Sequence, residues 1–157
     1  MEYTIRTLAA DEYRLLDDFL YEAIFIPEGV PAPPRDIIYL PELRVYTEDF
    51  GTRRGDYALC AETGDGVVGA VWTRIMDDYG HIDDDTPSFA IAVYKQYRCM
   101  GIGTALMNKM LGVLRRGGFK QASLAVQKAN RAVGLYRKAG FETVYENQQE
   151  YIMLRRL

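Results

Sequence analysis

The chain has 157 residues, 48% apolar and 26% charged, with a net charge of −3. That is enough for one domain, residues 1–157, with a full hydrophobic core and an ordinary globular balance. No apolar run is long enough to cross a bilayer. The slight negative charge argues against a nucleic acid held mainly through its phosphates.

The start, Met1-Glu-Tyr-Thr-Ile-Arg, lacks the apolar stretch of a secretory signal, so a cytoplasmic protein without membrane contact is expected. Cys60 and Cys99 fit no metal spacing and make no disulfide framework, so no metal is expected.

In chain order, residues 4–6 read as a short strand. Residues 11–25 read as an amphipathic helix, because Leu15/Leu16, Phe19/Leu20 and Ala23/Ile24 recur at helical spacing. The proline-rich segment 27–34 breaks the pattern, and Pro41 interrupts 36–50, which reads as one or two short helices on a loop. Residues 56–63 and 67–76 are two strands joined at Gly64-Asp65-Gly66, a good hairpin turn. Segment 77–87 is an acidic loop, and Ser88–Val93 is apolar enough to be a central strand. A helix over 103–116 carries Leu106, Met110, Val113 and Leu114 on one face, and Gly117-Gly118 ends it. Gln121–Gln127 is a strand. Asn130 caps a helix that runs to Ala139, with Gly140 as its stop. Residues 141–146 and 151–155 close the chain as an antiparallel pair. The sum is an α/β chain.

Chemistry concentrates at Ile91-Ala92-Val93-Tyr-Lys95-Gln-Tyr-Arg98-Cys99-Met100-Gly101-Ile102-Gly103-Thr104. A strand, a tight basic loop with glycines, and a helix follow one another directly. Free backbone N–H groups converge at the start of such a helix, its dipole adds partial positive charge, and Arg98 adds a full one. The result is an anion site.

Arg98-Cys-Met-Gly101-Ile-Gly103 resembles the Arg/Gln-x-x-Gly-x-Gly/Ala loop of the GNAT superfamily of acyl-CoA-dependent N-acyltransferases. Asn130-Arg-Ala-Val-Gly-Leu135-Tyr136-Arg-Lys-Ala-Gly140-Phe141 looks like that family's second block, in order and correctly spaced. The resemblance covers residues 55–145 well and the N-terminal third by position only.

It implies the family's fold, a central mixed sheet flanked by helices, with acetyl-CoA or another acyl-CoA as donor and an amine as acceptor. It also implies roles. Arg98, Cys99, Met100, Gly101, Ile102, Gly103 and Thr104 would hold the pyrophosphate, with Arg98 as a charge or as the loop's anchor. The backbone of Ile91, Ala92 and Val93 would pair with the pantetheine arm and polarise the thioester carbonyl. Asn130 would touch the donor arm or merely cap its helix. Tyr136 would be the general acid for the departing thiolate or an interior aromatic.

The glutamate that several members carry on the strand before Asn130 is absent, since Ala125 stands at that position. If extended backbone reaches back that far, strand period puts Asp83 and Asp85 on the side of Phe89 and Ile91. Asp85 is the first choice for base, directly or through a water. Asp77-Asp78 and Asp83-Asp84-Asp85 together also read as a solvated acidic rim that attracts a cationic amine.

His81, the only histidine, reads as solvent-facing, and Cys99 as a buried neutral thiol rather than a nucleophile. Tyr21, Phe25, Tyr39, Tyr46 and Trp72 are core residues or line an acceptor pocket. The twelve tyrosines make a homodimer plausible. The expected function is an N-acetyltransferase acting on a small-molecule or protein amine; the alternative is a non-catalytic acyl-CoA sensor.

Overall fold

The computed structural model describes residues 2–157. Seven strands form one sheet: β1 (Thr4–Thr7), β2 (Tyr57–Thr63), β3 (Gly66–Arg74), β4 (Ser88–Val93), β5 (Gln121–Gln127), β6 (Glu142–Glu146) and β7 (Glu150–Arg156), in the order β1-β2-β3-β4-β5-β7-β6. All neighbours are antiparallel except β4 and β5. The expected mixed sheet is therefore present. The β2–β3 turn is tighter than expected, because Thr63 already pairs with Gly66 and only Gly64-Asp65 lie between.

Side chains alternate across the strands, and each face of the sheet has its own core. Leu59, Ala61, Val71, Phe89, Leu124 and Val126 point to one face, where α3 (Ile102–Arg116) and α4 (Ala132–Lys138) pack. Ala58, Cys60, Ala70, Trp72 and Ala92 point to the other, under α1 (Leu15–Ala23) and the segment that carries α2 (Pro41–Arg44). The long helix α3 buries Ile102, Leu106, Met107, Met110, Leu111 and Leu114. At about 1.5–3 kcal/mol per side chain that burial gives roughly 9–18 kcal/mol before entropy.

α1 is shorter than the expected 11–25. A 3-10 turn at Ala10–Glu12 precedes it, because the Glu12 carboxylate accepts the Ala9 N–H at 2.9 Å and the bidentate Arg6 guanidinium at 2.8 and 2.9 Å. The 36–50 segment resolves into a 3-10 turn at Arg35–Tyr39 and then α2, with Pro41 at its first position, where the missing N–H costs nothing.

Both long-range helices stop at a left-handed glycine. After α3, Phe119 N–H reaches Leu114 O and Gly118 N–H reaches Arg115 O; after α4, Phe141 and Gly140 repeat the pattern on Tyr136 and Arg137.

The sheet has one opening. β4 and β5 meet only where Ser88 stands opposite Ser123, and beyond that pair they part. Ser123 N–H donates to Pro87 O at 2.9 Å, while Tyr94 N–H donates to Val68 O on β3, also at 2.9 Å. Backbone groups of alternate residues face opposite strand edges. Ala90 and Ala92 therefore give theirs to β3, and Ile91 and Val93 turn theirs into the opening.

Candidate active site

The opening is flanked by the predicted anion loop. After β4, a 3-10 turn at Lys95–Tyr97 leads to Arg98, then Cys99 at φ 62° and Gly101 at φ 84°. Two left-handed residues so close together curl the chain and aim successive N–H groups inward. Gly101 supplies its positive φ without strain.

α3 then begins at Ile102, with no side chain capping it and the first helical bond only at Ala105 N–H to Gly101 O, 3.0 Å. The N–H groups of Ile102, Gly103 and Thr104 are free at the positive end of a 15-residue helix. A Cβ at Gly101 would meet nothing within 4 Å, and one at Gly103 would only reach Leu135 at 3.7 Å, so the loop is open to a ligand.

Arg98 is an anchor. Its Nε donates to Val93 O at 2.8 Å and its guanidinium lies 3.6 Å from the Glu22 carboxylate of α1. It ties the loop to the end of β4 and occupies the last carbonyl of the open edge. Cys99 and Met100 are both exposed. For Cys99 this corrects the expectation of a buried thiol, since left-handed backbone on a projecting turn directs the side chain outward.

On the far wall, Asn130 Oδ1 accepts the Ala132 N–H at 2.9 Å and so caps α4, which starts one residue later than expected. Tyr136 lies on the inner side of α4 against Phe141, with ring centroids 6.2 Å apart. Burial pushes its hydroxyl up to about 12, so it keeps its proton at any ordinary pH. Its hydroxyl has no protein partner among the described residues, and no buried side-chain polar atom lacks one. The oxygen therefore reaches accessible space.

An open β4–β5 edge, a left-handed glycine loop and an uncapped helix start thus converge with a protonated tyrosine across from them, and the sequence profile of the Acetyltransferase (GNAT) family matches residues 18–141. The chain belongs to the GNAT family. It is 31% identical over 99 residues to N-alpha-acetyltransferase 50 of Danio rerio, a match covering 62% of this chain and 58% of that protein. This stretch spans less than two thirds of the relative's length. PaiA N-acetyltransferase from Thermoplasma acidophilum, solved in complex with coenzyme A, superposes with a TM-score of 0.72 over 100% of both chains at 17% identity. A GNAT phosphinothricin acetyltransferase from Sinorhizobium meliloti, in complex with AcCoA, gives 0.68 over 100% of this chain and 89% of that one at 19% identity. Likeness at these identities establishes the GNAT fold.

The residues that the sequence offers for the acceptor scatter over the structure. Extended backbone begins at Ser88, and Asp84-Asp85 lie in a turn, so strand alternation does not carry back to Asp85. The Asp85 side chain is 90% exposed and faces Arg54 at 3.6 Å, before the point where β4 and β5 part. Asp83 binds the Thr86 hydroxyl at 2.7 Å and the Asp85 N–H, bonds that hold its carboxyl below the usual carboxylate range.

His81 Nδ1 sits 2.9 Å from Met76 O and its Nε2 3.8 Å from the exposed Asp84. Trp72 is wholly buried, its indole N–H donating to Tyr46 O at 3.1 Å, so it belongs to the core. Tyr21 donates to Pro33 O at 2.6 Å and bends the 27–34 segment onto α1, while Tyr39 is exposed.

A different group stands at the parting of the strands. The Asp78 carboxylate accepts the Ser88 hydroxyl at 3.0 Å and the Tyr46 hydroxyl at 2.9 Å. Ser123 donates to Gly80 O at 2.6 Å, and a Cβ at Gly80 would lie 3.1 Å from the Ala125 N and the Leu124 carbonyl carbon. The loop 78–80 is thus folded across the sheet onto β5. The sequence grouped Asp78 with its acidic neighbours; the available signal was Ser88 and Ser123, two polar residues inside otherwise apolar strands.

Proposed function

We propose that this chain is an N-acetyltransferase that transfers the acetyl group of acetyl-CoA directly to a primary amine, with residues 1–157 acting as one domain. The observation that carries this reading is the β4–β5 opening. Ile91 and Val93 have backbone groups that no strand uses, beside a loop shaped for phosphate. The coenzyme A and AcCoA complexes of the GNAT neighbours support the same donor.

The pantetheine arm would add to the open edge of β4 as a short strand. The free N–H of Ile91 or Val93 would polarise the thioester carbonyl, as an oxyanion hole does. Ala92 contributes its small side chain, its backbone being committed to β3. The N–H groups of residues 99–104 would bind the pyrophosphate, with Arg98 holding the loop in place. Asn130 shapes the far wall by capping α4. Tyr136 would present its hydroxyl proton to the departing sulfur. Asp85, at the rim with Arg54, would serve only through a chain of waters.

The exposed free thiol of Cys99 and the buried one of Cys60 fit a reducing, cytoplasmic setting. Among the described residues no helix is long and apolar enough to cross a membrane. The edge strand β6, with Val144 and Tyr145 exposed, is the surface for self-association, which sedimentation at increasing concentration tests.

Calorimetric titration with acetyl-CoA and with CoA, followed by an amine-dependent assay of CoA release, tests the function. Micromolar binding of both and release with an amine support transfer. Binding without release by any amine or peptide means a sensor, and no binding sinks the reading.

A further inference from the structure

The half-buried Asp78 carboxylate lacks a cation. Among the described residues no arginine, lysine or histidine pairs with it, in contrast to Asp56, whose carboxylate is matched by the buried Arg74. Its polar partners are two hydroxyls, from Tyr46 and Ser88, and backbone N–H groups of its own loop. The two hydroxyls lie one on each carboxylate oxygen, and no side-chain cation completes the set.

The position matters as much as the vacancy. Ser88 is the last residue of β4 paired with β5, and it points to the α1–α2 face, as Ala90 and Ala92 do. Asp78 therefore sits at the floor of the opening, on the face opposite α3. Ile91 is three residues up the strand from Ser88, about 10 Å at a strand's rise. Gly80 packs against the β5 backbone, a Cβ there lying 3.1 Å from Ala125 N, so the loop that carries Asp78 is held at this edge of the opening.

We propose that Asp78 receives the acceptor's ammonium and takes its proton, with Tyr46 and Ser88 holding the carboxylate, so that the acceptor is an aliphatic amine that arrives as a cation. This rests on the acetyl-transfer reading above. The ammonium gives one proton to the Asp78 carboxylate, which passes it to solvent. The neutral nitrogen attacks the thioester carbonyl, the C–N bond forms, and the C–S bond breaks with its electron pair on sulfur. The second nitrogen proton ends on that sulfur, and CoA leaves as the thiol.

The groups facing Asp78 favour this chemistry. Tyr46 comes from the segment after α2 and its hydroxyl meets Asp78; the titratable groups felt by that hydroxyl, Asp78 itself, Glu150 at the start of β7 and Tyr79 of the same loop, are neutral or anionic, and none supplies a positive charge. Burial raises the Asp78 carboxyl above its ordinary value, and the Tyr46 and Ser88 hydroxyls oppose that rise. A stronger base results, one that loses function as pH falls through its raised value.

Three readouts test this with wild type, Asp78→Asn and Tyr46→Phe, all full-length. The first is the affinity for acetyl-CoA. The second is the pH profile of kcat/KM with phenethylamine and with a tetrapeptide bearing a free amino terminus. The third is the 13C signal of the Asp78 carboxyl, assigned by its loss in Asp78→Asn, as ethylammonium or neutral ethanol is added.

Asp78→Asn should keep its acetyl-CoA affinity, lose about 10²–10³ in kcat/KM and lose the acidic limb of the profile. Tyr46→Phe should remain active and move that limb to higher pH, because a hydroxyl that favours the carboxylate is gone. Ethylammonium, but not ethanol, should shift the Asp78 signal. An Asp78→Asn protein that binds acetyl-CoA and retains both rate and limb overturns the assignment and leaves acetyl transfer standing. So does a signal that ignores ethylammonium. Failure of wild type to bind acetyl-CoA removes the transfer reading and this assignment together.

Discussion

Replacing Tyr136 by phenylalanine removes one oxygen from the candidate site, and the structure sets the size of the effect. The hydroxyl, raised by burial to about 12, stands roughly 3.5 units above an ordinary thiol near 8.5, so handing its proton fully to a free CoA thiolate is uphill by about 5 kcal/mol. Donating a hydrogen bond to that sulfur costs no such transfer and is worth about 1.5–3 kcal/mol against a charged partner. The expected loss in kcat for Tyr136→Phe is therefore about 10- to 150-fold, not the ~10⁴ at the upper end of full acid catalysis.

Acetyl-CoA affinity should be unchanged, because the proposed site for the donor's phosphates and amides is residues 91–104. Stability should hold as well. The lost hydroxyl bonds to no protein group, and the ring keeps its contact with Phe141, so Tm should move by less than about 3 °C. Steady-state CoA release, calorimetry with acetyl-CoA and a thermal melt on one preparation give all three numbers. A kcat within twofold of wild type would refute the contact with the leaving sulfur. A loss near 10⁴ with normal affinity would refute the hydrogen-bond argument in favour of complete proton transfer.

Other changes probe the frame around the site. Asp56→Ala strands the wholly buried Arg74 guanidinium, which now binds both Asp56 oxygens at 3.0 and 2.9 Å and holds Val45 O at 3.1 Å; about 3–5 kcal/mol should be lost, or roughly 6–20 °C in Tm, and a smaller drop would mean the pair is replaceable. Gly80→Val drives a branched side chain into the Leu124–Ala125 backbone 3.1 Å away. It should cost about 1–3 kcal/mol by denaturant titration and lower kcat while sparing acetyl-CoA binding; weakened donor binding instead would show that the loop serves the other face. Arg98→Ala releases Val93 O and Glu22 together, and calorimetry should find acetyl-CoA weaker by about tenfold, one charge-assisted bond's worth. The Arg6 bridge holds the Glu12 carboxyl down to about 2. Its contribution is full above the ordinary glutamate range and fades as pH falls through that value, so acid titrations of wild type and Glu12→Gln should converge toward pH 2; a constant gap would count against the linkage.

Much of this arrangement is local and was therefore legible in the sequence. Periodicity and glycine stops gave β5 and the ends of α3 and α4, because each depends on a few adjacent residues. The anion loop is of the same kind. Left-handed backbone at Gly101 and free N–H groups at a helix start follow from the order strand, glycine loop, helix, wherever the chain goes next.

What local order cannot carry is which backbone edge is left unused and what folds over it. That β4 and β5 touch only at Ser88 and Ser123 depends on strands 35 residues apart, and it separates Ile91 and Val93 from Ala92, which the sequence treated alike. Arg98 became an anchor only when Val93 O and Glu22 came within reach of its guanidinium. Among the acidic residues of 77–85 the sequence puts Asp85 first, on a strand alternation that the backbone does not carry back beyond Ser88. Tertiary packing ranks them: it leaves Asp85 in solvent opposite Arg54 and half-buries Asp78 between Tyr46 and Ser88. The physical reason is that a carboxylate's chemistry is set by its desolvation and its partners, and both arrive from parts of the chain far away in sequence.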